Sequence, residues 1–211
     1  FPAQWMYYHL LDADWGSNSL NWQWVAGTNS NKKYFANQSN INRFCFTNQK
    51  ETFLDVPYED FSAFEIPEVL KKFDSISLKT PLPKQIHLEI DSALPSCIYN
   101  FYNLDPLWKK NDSVNRILLL EPSHFEQYPV SEKTIDFIIK LAKDNINNIQ
   151  IYVGEFNALV SEHKLKSIFF KEHPLNTHYK GTEDARDWMF EVNGYFPSFF
   201  SFWKKCEKQL R

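Results

Sequence analysis

The run Val114-Asn115-Arg116-Ile117-Leu118-Leu119-Leu120 decides the fold class that we predict for this chain. A short and nearly continuous apolar run is typical of a strand buried on both faces of a parallel sheet. Residues 131–145 follow, with apolar positions at helical spacing and Ser131 as the expected cap. A second short apolar run, at 149–153, predicts the next strand.

The same alternation continues towards the end of the chain. We expect a helix over 158–165, a strand over 167–170, and two final helices near 183–189 and over 197–210. The order β-α-β-α-β predicts an α/β fold with a parallel sheet of at least three strands and right-handed crossovers.

The first part of the chain has a different, helical pattern. Pro2 suits the first turn of a helix over 2–11, which Asp12 and Asp14 end. Ser17 is the expected cap of a second helix, over 21–26, which stops at Gly27. The Asn- and Ser-rich stretch 29–42 predicts a loop.

Between the two patterns lies a stretch with four prolines, at positions 67, 81, 83 and 95. Proline spacing of this kind favours extended, solvated backbone. We therefore expect a helical segment over 1–65, a Pro-rich connector over 66–111 and a small α/β domain over 112–211.

Composition excludes several classes of function. The chain has only 5 glycines, and neither a dinucleotide-binding loop nor a P-loop is present. With 23 basic and 26 acidic residues, the net charge of −3 argues against strong non-specific DNA binding by the chain as a whole.

The 3 cysteines are far apart in sequence, which favours reduced thiols and a cytoplasmic protein over a disulfide framework. No zinc-ligand spacing occurs, and no apolar run reaches the roughly 18 residues of a membrane span. Because Phe1 leads directly into an amphipathic pattern, we expect a fragment of a longer protein.

Polar and aromatic side chains cluster around the first helix break. Asp12, Asp14 and Asn18 together can hold a planar ring by hydrogen bonds. From spacing alone a second interpretation stays open: the carboxylates end and cap helices, and Trp22 and Trp24 are core aromatics.

The stretch LDADWGSNSLNWQWVAGT at positions 11–28 resembles the flavin-contacting signature of DNA photolyases and cryptochromes. That family shows D-x-D, an Asn four residues after the second Asp, and then W-Q-W-x-A-G-T. Every one of these positions is filled here. KYF at 33–35 and NQSNIN at 37–42 extend the likeness to a branch of bacterial photolyase-like proteins. The strong resemblance covers residues 1 to about 60.

The resemblance implies a role for each residue of the signature. Asp12 corresponds to the carboxylate that pairs with an Arg under the flavin, and Asp14 to the one that faces N3 and the carbonyl edge of the ring. Asn18 corresponds to the residue beside flavin N5. Trp22 corresponds to the proximal member of a tryptophan electron-transfer chain, and Trp24 to a wall of the pocket where a flipped pyrimidine dimer stacks.

For the whole protein, the resemblance implies a flavin-dependent, light-driven DNA repair enzyme, a photolyase for cyclobutane pyrimidine dimers. Its cofactor would be FAD, and its partners would be damaged DNA and an upstream FAD-binding domain of the same protein. The chain alone is expected to be inactive and to lack FAD. Two alternatives remain: a cryptochrome-like photoreceptor without repair, and an α/β interaction module with a structural helical extension.

Two features depart from the family pattern. Ala13 stands where the family commonly has Gly, and the α/β half follows the signature, whereas an antenna domain usually precedes it. The α/β half carries its own polar residues after the predicted strands, at Glu121, His124, Glu155 and His173. In open α/β sheets, ligands bind beyond the carboxyl ends of the strands, so these residues predict either a crevice site or solvated loops.

Overall fold

The computed structural model describes residues 2–10, 36–63, 65, 68–72 and 77–210. The chain divides into two compact units, which are called here the helical unit (1–82 and 123–138) and the sheet unit (83–122 and 139–211). Within the described ranges, no helix has the length and apolar character needed to cross a membrane.

Short helices make up the described part of the helical unit. They are α1 (Pro2–His9), α2 (Gln38–Cys45), a 3₁₀ helix (Tyr58–Ala63), α3 (Glu68–Lys71), α4 (Pro122–Gln127, with Pro122 assigned to the sheet unit) and the first half of α5 (Glu132–Asn145). Helix α1 confirms the predicted first helix. The second predicted helix, over 21–26, lies outside the described residues.

Helix α2 corrects one sequence prediction, because residues 38–42 were expected to belong to a loop. Asn37 is the N-cap, and its side-chain oxygen accepts a hydrogen bond from the Asn40 N–H at 2.9 Å. Asn is among the preferred N-cap residues, so asparagines that suggested a loop instead start a helix. Phe46 ends it in the left-handed conformation, with φ of 55°.

The sheet unit is built on five parallel strands in the order β3-β2-β1-β4-β5. The strands are β1 (Ser96–Tyr99), β2 (Asn115–Leu120), β3 (Ile149–Val153), β4 (Ile168–Lys171) and β5 (Thr182–Asp184). The predicted α/β class with a parallel sheet of at least three strands is therefore confirmed.

Burial explains why the apolar runs form the centre of the sheet. Ile117 and Leu119 on β2 share one core cluster with Ile98 on β1 and with Phe156 and Leu159. The last two belong to α6 (Phe156–Glu162), which follows β3. A fully buried side chain of this size stabilises the fold by about 1.5–3 kcal/mol relative to an exposed one.

Two strands were not predicted. Strand β1 lies within the Pro-rich stretch 66–111, and β5 occupies part of the region where a helix near 183–189 was expected. Strand β5 is tied to the segment after β1, since Trp108 Nε1–H donates to Asp184 Oδ2 at 2.9 Å and Lys109 Nζ lies 3.4 Å from the same oxygen.

The expected final helix is shorter than predicted. Helix α7 spans Phe199–Cys206 and continues as a 3₁₀ turn over Glu207–Gln209. Ser198 and Ser201 form a capping box at its start, which fixes the first residue of the helix.

Candidate functional site

The five residues of the flavin signature lie outside the described residues. They are Asp12, Asp14, Asn18, Trp22 and Trp24. Their assigned roles stay predictions, and the structure instead shows how the chain is held on either side of them, at α1 and at α2.

Helix α1 is anchored at its carboxyl end, two residues before the signature begins. The Tyr8 carbonyl accepts hydrogen bonds from the Ser131 N–H at 2.7 Å and from the Thr134 hydroxyl at 3.1 Å. These bonds satisfy a carbonyl that the helix itself leaves free. Tyr7 is buried, whereas Trp5 is 45% exposed and packs edge-on against His9.

Helix α2 is held from its first residue by a polar network. The buried Gln38 side chain donates to Asn42 Oδ1 at 2.9 Å and accepts from the Thr52 hydroxyl at 2.5 Å. Asn42 also accepts from the Thr47 hydroxyl and donates to the Gln49 carbonyl, both at 2.8 Å. The residues at 37–42 that extend the family likeness therefore fix the segment that follows the signature.

In the sheet unit, the carboxyl end of β2 carries a buried carboxylate with three donors. Glu121 accepts from the Phe156 N–H at 3.0 Å and from the Tyr179 hydroxyl at 3.3 Å, and His178 Nε2 lies 2.9 Å from its Oε1. Burial, followed by the Glu121 charge, raises the pKa of Tyr179 far above its ordinary value. The phenol thus stays a donor, and the half-exposed His178 imidazole connects this cluster to solvent.

The sheet order places a second group of polar residues at the topological switch point, where β1 and β4 are neighbours. Beyond β1, Asn100 donates to Asn176 at 2.9 Å, and the Tyr102 ring stacks on His173 with centroids 5.5 Å apart. His173 Nδ1 accepts from the Leu175 N–H at 3.1 Å. Burial, then the Arg186 charge, lowers the pKa of His173, so the neutral imidazole needed for this acceptor role is favoured.

The polar residues singled out after the strands have separate partners. His173 caps a 3₁₀ turn, and Glu155 precedes α6 without a side-chain cap bond. The His124 ring contacts Phe125 within the helical unit. The pairing of Glu121 with His178 was not predicted, because 57 residues separate them and no local pattern signals their contact.

Comparison with known proteins gives one match, which covers the N-terminal segment. Residues 2–99 match the family described as "FAD binding domain of DNA photolyase". The N-terminal segment is therefore similar to the FAD-binding domain of DNA photolyases. No curated protein and no solved structure matched the chain.

Proposed function

We propose that this chain is the C-terminal part of a flavin-dependent, light-driven DNA repair enzyme that acts on cyclobutane pyrimidine dimers. The observation that carries the proposal is the complete D-x-D-x₃-N-x₃-W-Q-W signature, which lies inside the segment that matches the photolyase FAD-binding domain. A cryptochrome-like photoreceptor would use the same residues without repair.

The chemistry of the signature side chains supports FAD as the cofactor. Asp12 and Asp14 offer carboxylate acceptors, which suit an Arg partner and a ring N–H. The Asn18 amide both donates and accepts, so it suits the edge of a flavin near N5. When bound, FAD supplies a photoexcited electron donor that takes the electron back after the dimer has split.

The two tryptophans of the signature then have distinct tasks. The Trp22 indole is readily oxidised, so it passes an electron inward when oxidised flavin is photoreduced. Trp24 supplies an apolar face on which the flipped dimer stacks. Neither task requires a titrating group, and the protein contributes binding, orientation and exclusion of water.

Substitution of Trp24 separates repair from photoreception. In the full-length protein, Trp24→Ala removes a stacking surface worth about 1–3 kcal/mol per base. At about 1.4 kcal/mol per tenfold change, affinity for dimer-containing duplex should fall about five- to a hundred-fold. Affinity for undamaged duplex should hold, because backbone charge dominates it. The measurement is a paired titration of both duplexes at one salt concentration.

The matched control is Trp188→Ala, since Trp188 is 62% exposed and lies in the sheet unit. It should leave both affinities unchanged. If Trp24 is a core residue, its loss costs about 3–5 kcal/mol of stability, and both affinities fall together with loss of FAD. Equal losses on the two duplexes would reject the lesion-pocket assignment.

A further inference from the structure

Helix α7 presents a basic and aromatic surface that the assigned function does not use. Its outward residues line an open groove of about 840 Å³. The lining consists of Phe200, Lys204, Lys205 and Lys208, which are called here the α7 surface, together with two serines and Glu207. Phe200 and Lys204 are four residues apart on α7 and so lie on the same side of it, and Lys208 lies in the 3₁₀ turn that continues the helix.

The charge of this segment differs from that of the chain. The whole protein has a net charge of −3, whereas positions 195–211 contain four basic residues and one acidic residue. Within the described part of the chain, Lys204, Lys205 and Lys208 form no ion pair, although Lys109 and Lys171 do. Three ammonium groups and one carboxylate, that of Glu207, line the groove, and this excess of positive charge attracts a polyanion.

The aromatic part of the surface is open to solvent. Phe200 is 72% exposed. Phe199 stacks on Trp203, with centroids 6.1 Å apart and an angle of 12° between the ring planes, and Cys206 on the inner side is fully buried. Cys206 thus anchors the helix. The Phe200 ring meets the Phe199 ring in a T-shaped contact, with centroids 5.7 Å apart, and stays largely exposed in the groove with the lysines.

We propose that the α7 surface binds single-stranded nucleic acid, with the three lysines on successive phosphates and Phe200 stacked on a base. Combining a positive groove with exposed aromatic rings is the general means of binding single strands without sequence preference. An anionic membrane fits less well. Phe200 lines the same groove as the three lysines, whereas a membrane-surface helix separates its apolar face from its charged face.

The test uses the full chain in the dark, with a fluorescently labelled, undamaged oligothymidine, so that neither flavin nor lesion is involved. Affinity is measured by anisotropy over a series of salt concentrations. Replacing all three lysines by Gln should reduce the slope of log K against log salt by about 2, since each phosphate contact on a single strand contributes about 0.7. Phe200→Ala should weaken binding about five- to a hundred-fold with the slope unchanged.

Helix α5 offers matched controls of the same residue types. The exposed lysines of α5 are Lys133, Lys140 and Lys143, and the first control replaces all three by Gln. The second control is Phe137→Ala, since Phe137 is 53% exposed. Asp136 and Asp144 accompany these lysines, so this helix lacks the charge excess of α7. Neither control should change affinity or slope.

Three outcomes would overturn the proposal. The first would be that the wild-type chain does not bind the oligonucleotide. The second would be that the α5 control variants weaken binding as much as the α7 variants do. In the third, the α7 variants retain oligonucleotide binding but lose binding to vesicles of anionic phospholipid, which would assign the surface to a membrane. The binding measurement needs neither light nor a lesion. Its outcome is therefore independent of whether the proposed repair activity is correct.

Discussion

Single residues of the sheet unit show how its buried polar groups are compensated. Glu121 is held by three donors, and Asn100 is paired with Asn176. Burial raises the pKa of the Cys97 thiol to about 12, so it stays protonated and unreactive at neutral pH. These contacts stabilise the sheet.

At this scale the decisive residue is Trp22. In the full-length protein, Trp22→Phe should block photoreduction of oxidised flavin and spare FAD binding. Phe keeps most of the apolar volume, but its ring is much harder to oxidise. The measurement is the bleaching of flavin absorbance under blue light, with Trp188→Phe as the control. If Trp22→Phe is photoreduced at the wild-type rate, Trp22 has only a packing role.

At the scale of elements, the sequence predicted best what local patterns decide. Strand β3 has the predicted bounds, and α5 begins one residue after the expected cap, Ser131. The Ser131 hydroxyl accepts from the Thr134 N–H at 3.4 Å, which is the contact that the capping pattern predicts.

Elements that depend on distant partners were missed. Strand β1 is short, contains Ser96 and Cys97, and lies within the Pro-rich stretch 66–111. It is a strand because it pairs with β2 on one side and β4 on the other. Pairing with strands that are distant in sequence produces no hydrophobic pattern within β1 itself. Strand β5 is three mostly exposed residues paired with β4, so its sequence lacks an apolar run.

The pairing of β5 predicts an effect of substitution at Gly181. Its φ is 157°, and a Cβ atom there would lie 2.5 Å from the Ile168 carbonyl oxygen. Gly181→Ala should therefore destabilise the protein by about 1–3 kcal/mol, which urea unfolding would measure.

Gly194 is the matched control for this substitution. It also has positive φ, of 116°, but no atom lies within 4 Å of the position of a Cβ. Gly194→Ala carries backbone strain alone and should cost less than Gly181→Ala. Equal urea concentrations at the unfolding midpoint of the two variants would contradict the close approach of Gly181 to β4.

At the scale of the whole molecule, the family match and the sheet lie in largely different parts of the chain. The matched segment, 2–99, ends with β1, and the other four strands follow it. Sequence alone predicted the parallel sheet, and the roles of the flavin-signature residues stay predictions. It did not predict the Glu121–His178 pair, because that contact depends on the fold of the sheet unit.

We expect this chain alone, when purified, to carry much less than one FAD per molecule. In the proposed function, the signature supplies polar groups to the flavin ring only, and the sequence contains neither a G-x-G-x-x-G loop nor a P-loop for the phosphates. Ring contacts alone would have to offset the whole ordering cost of binding. Flavin absorbance relative to protein concentration is the measurement, and a stoichiometric content would overturn this expectation.

Light-dependent repair by the full-length protein tests the central claim most directly. The protein with reduced FAD is mixed with an oligonucleotide that contains one cyclobutane thymine dimer, and intact thymines are counted after blue light and after darkness. We predict dimer splitting in the light, none in the dark, and a lower rate for Trp24→Ala at limiting substrate. A protein that binds and photoreduces FAD but leaves the dimers unchanged under light would contradict the account and indicate a photoreceptor.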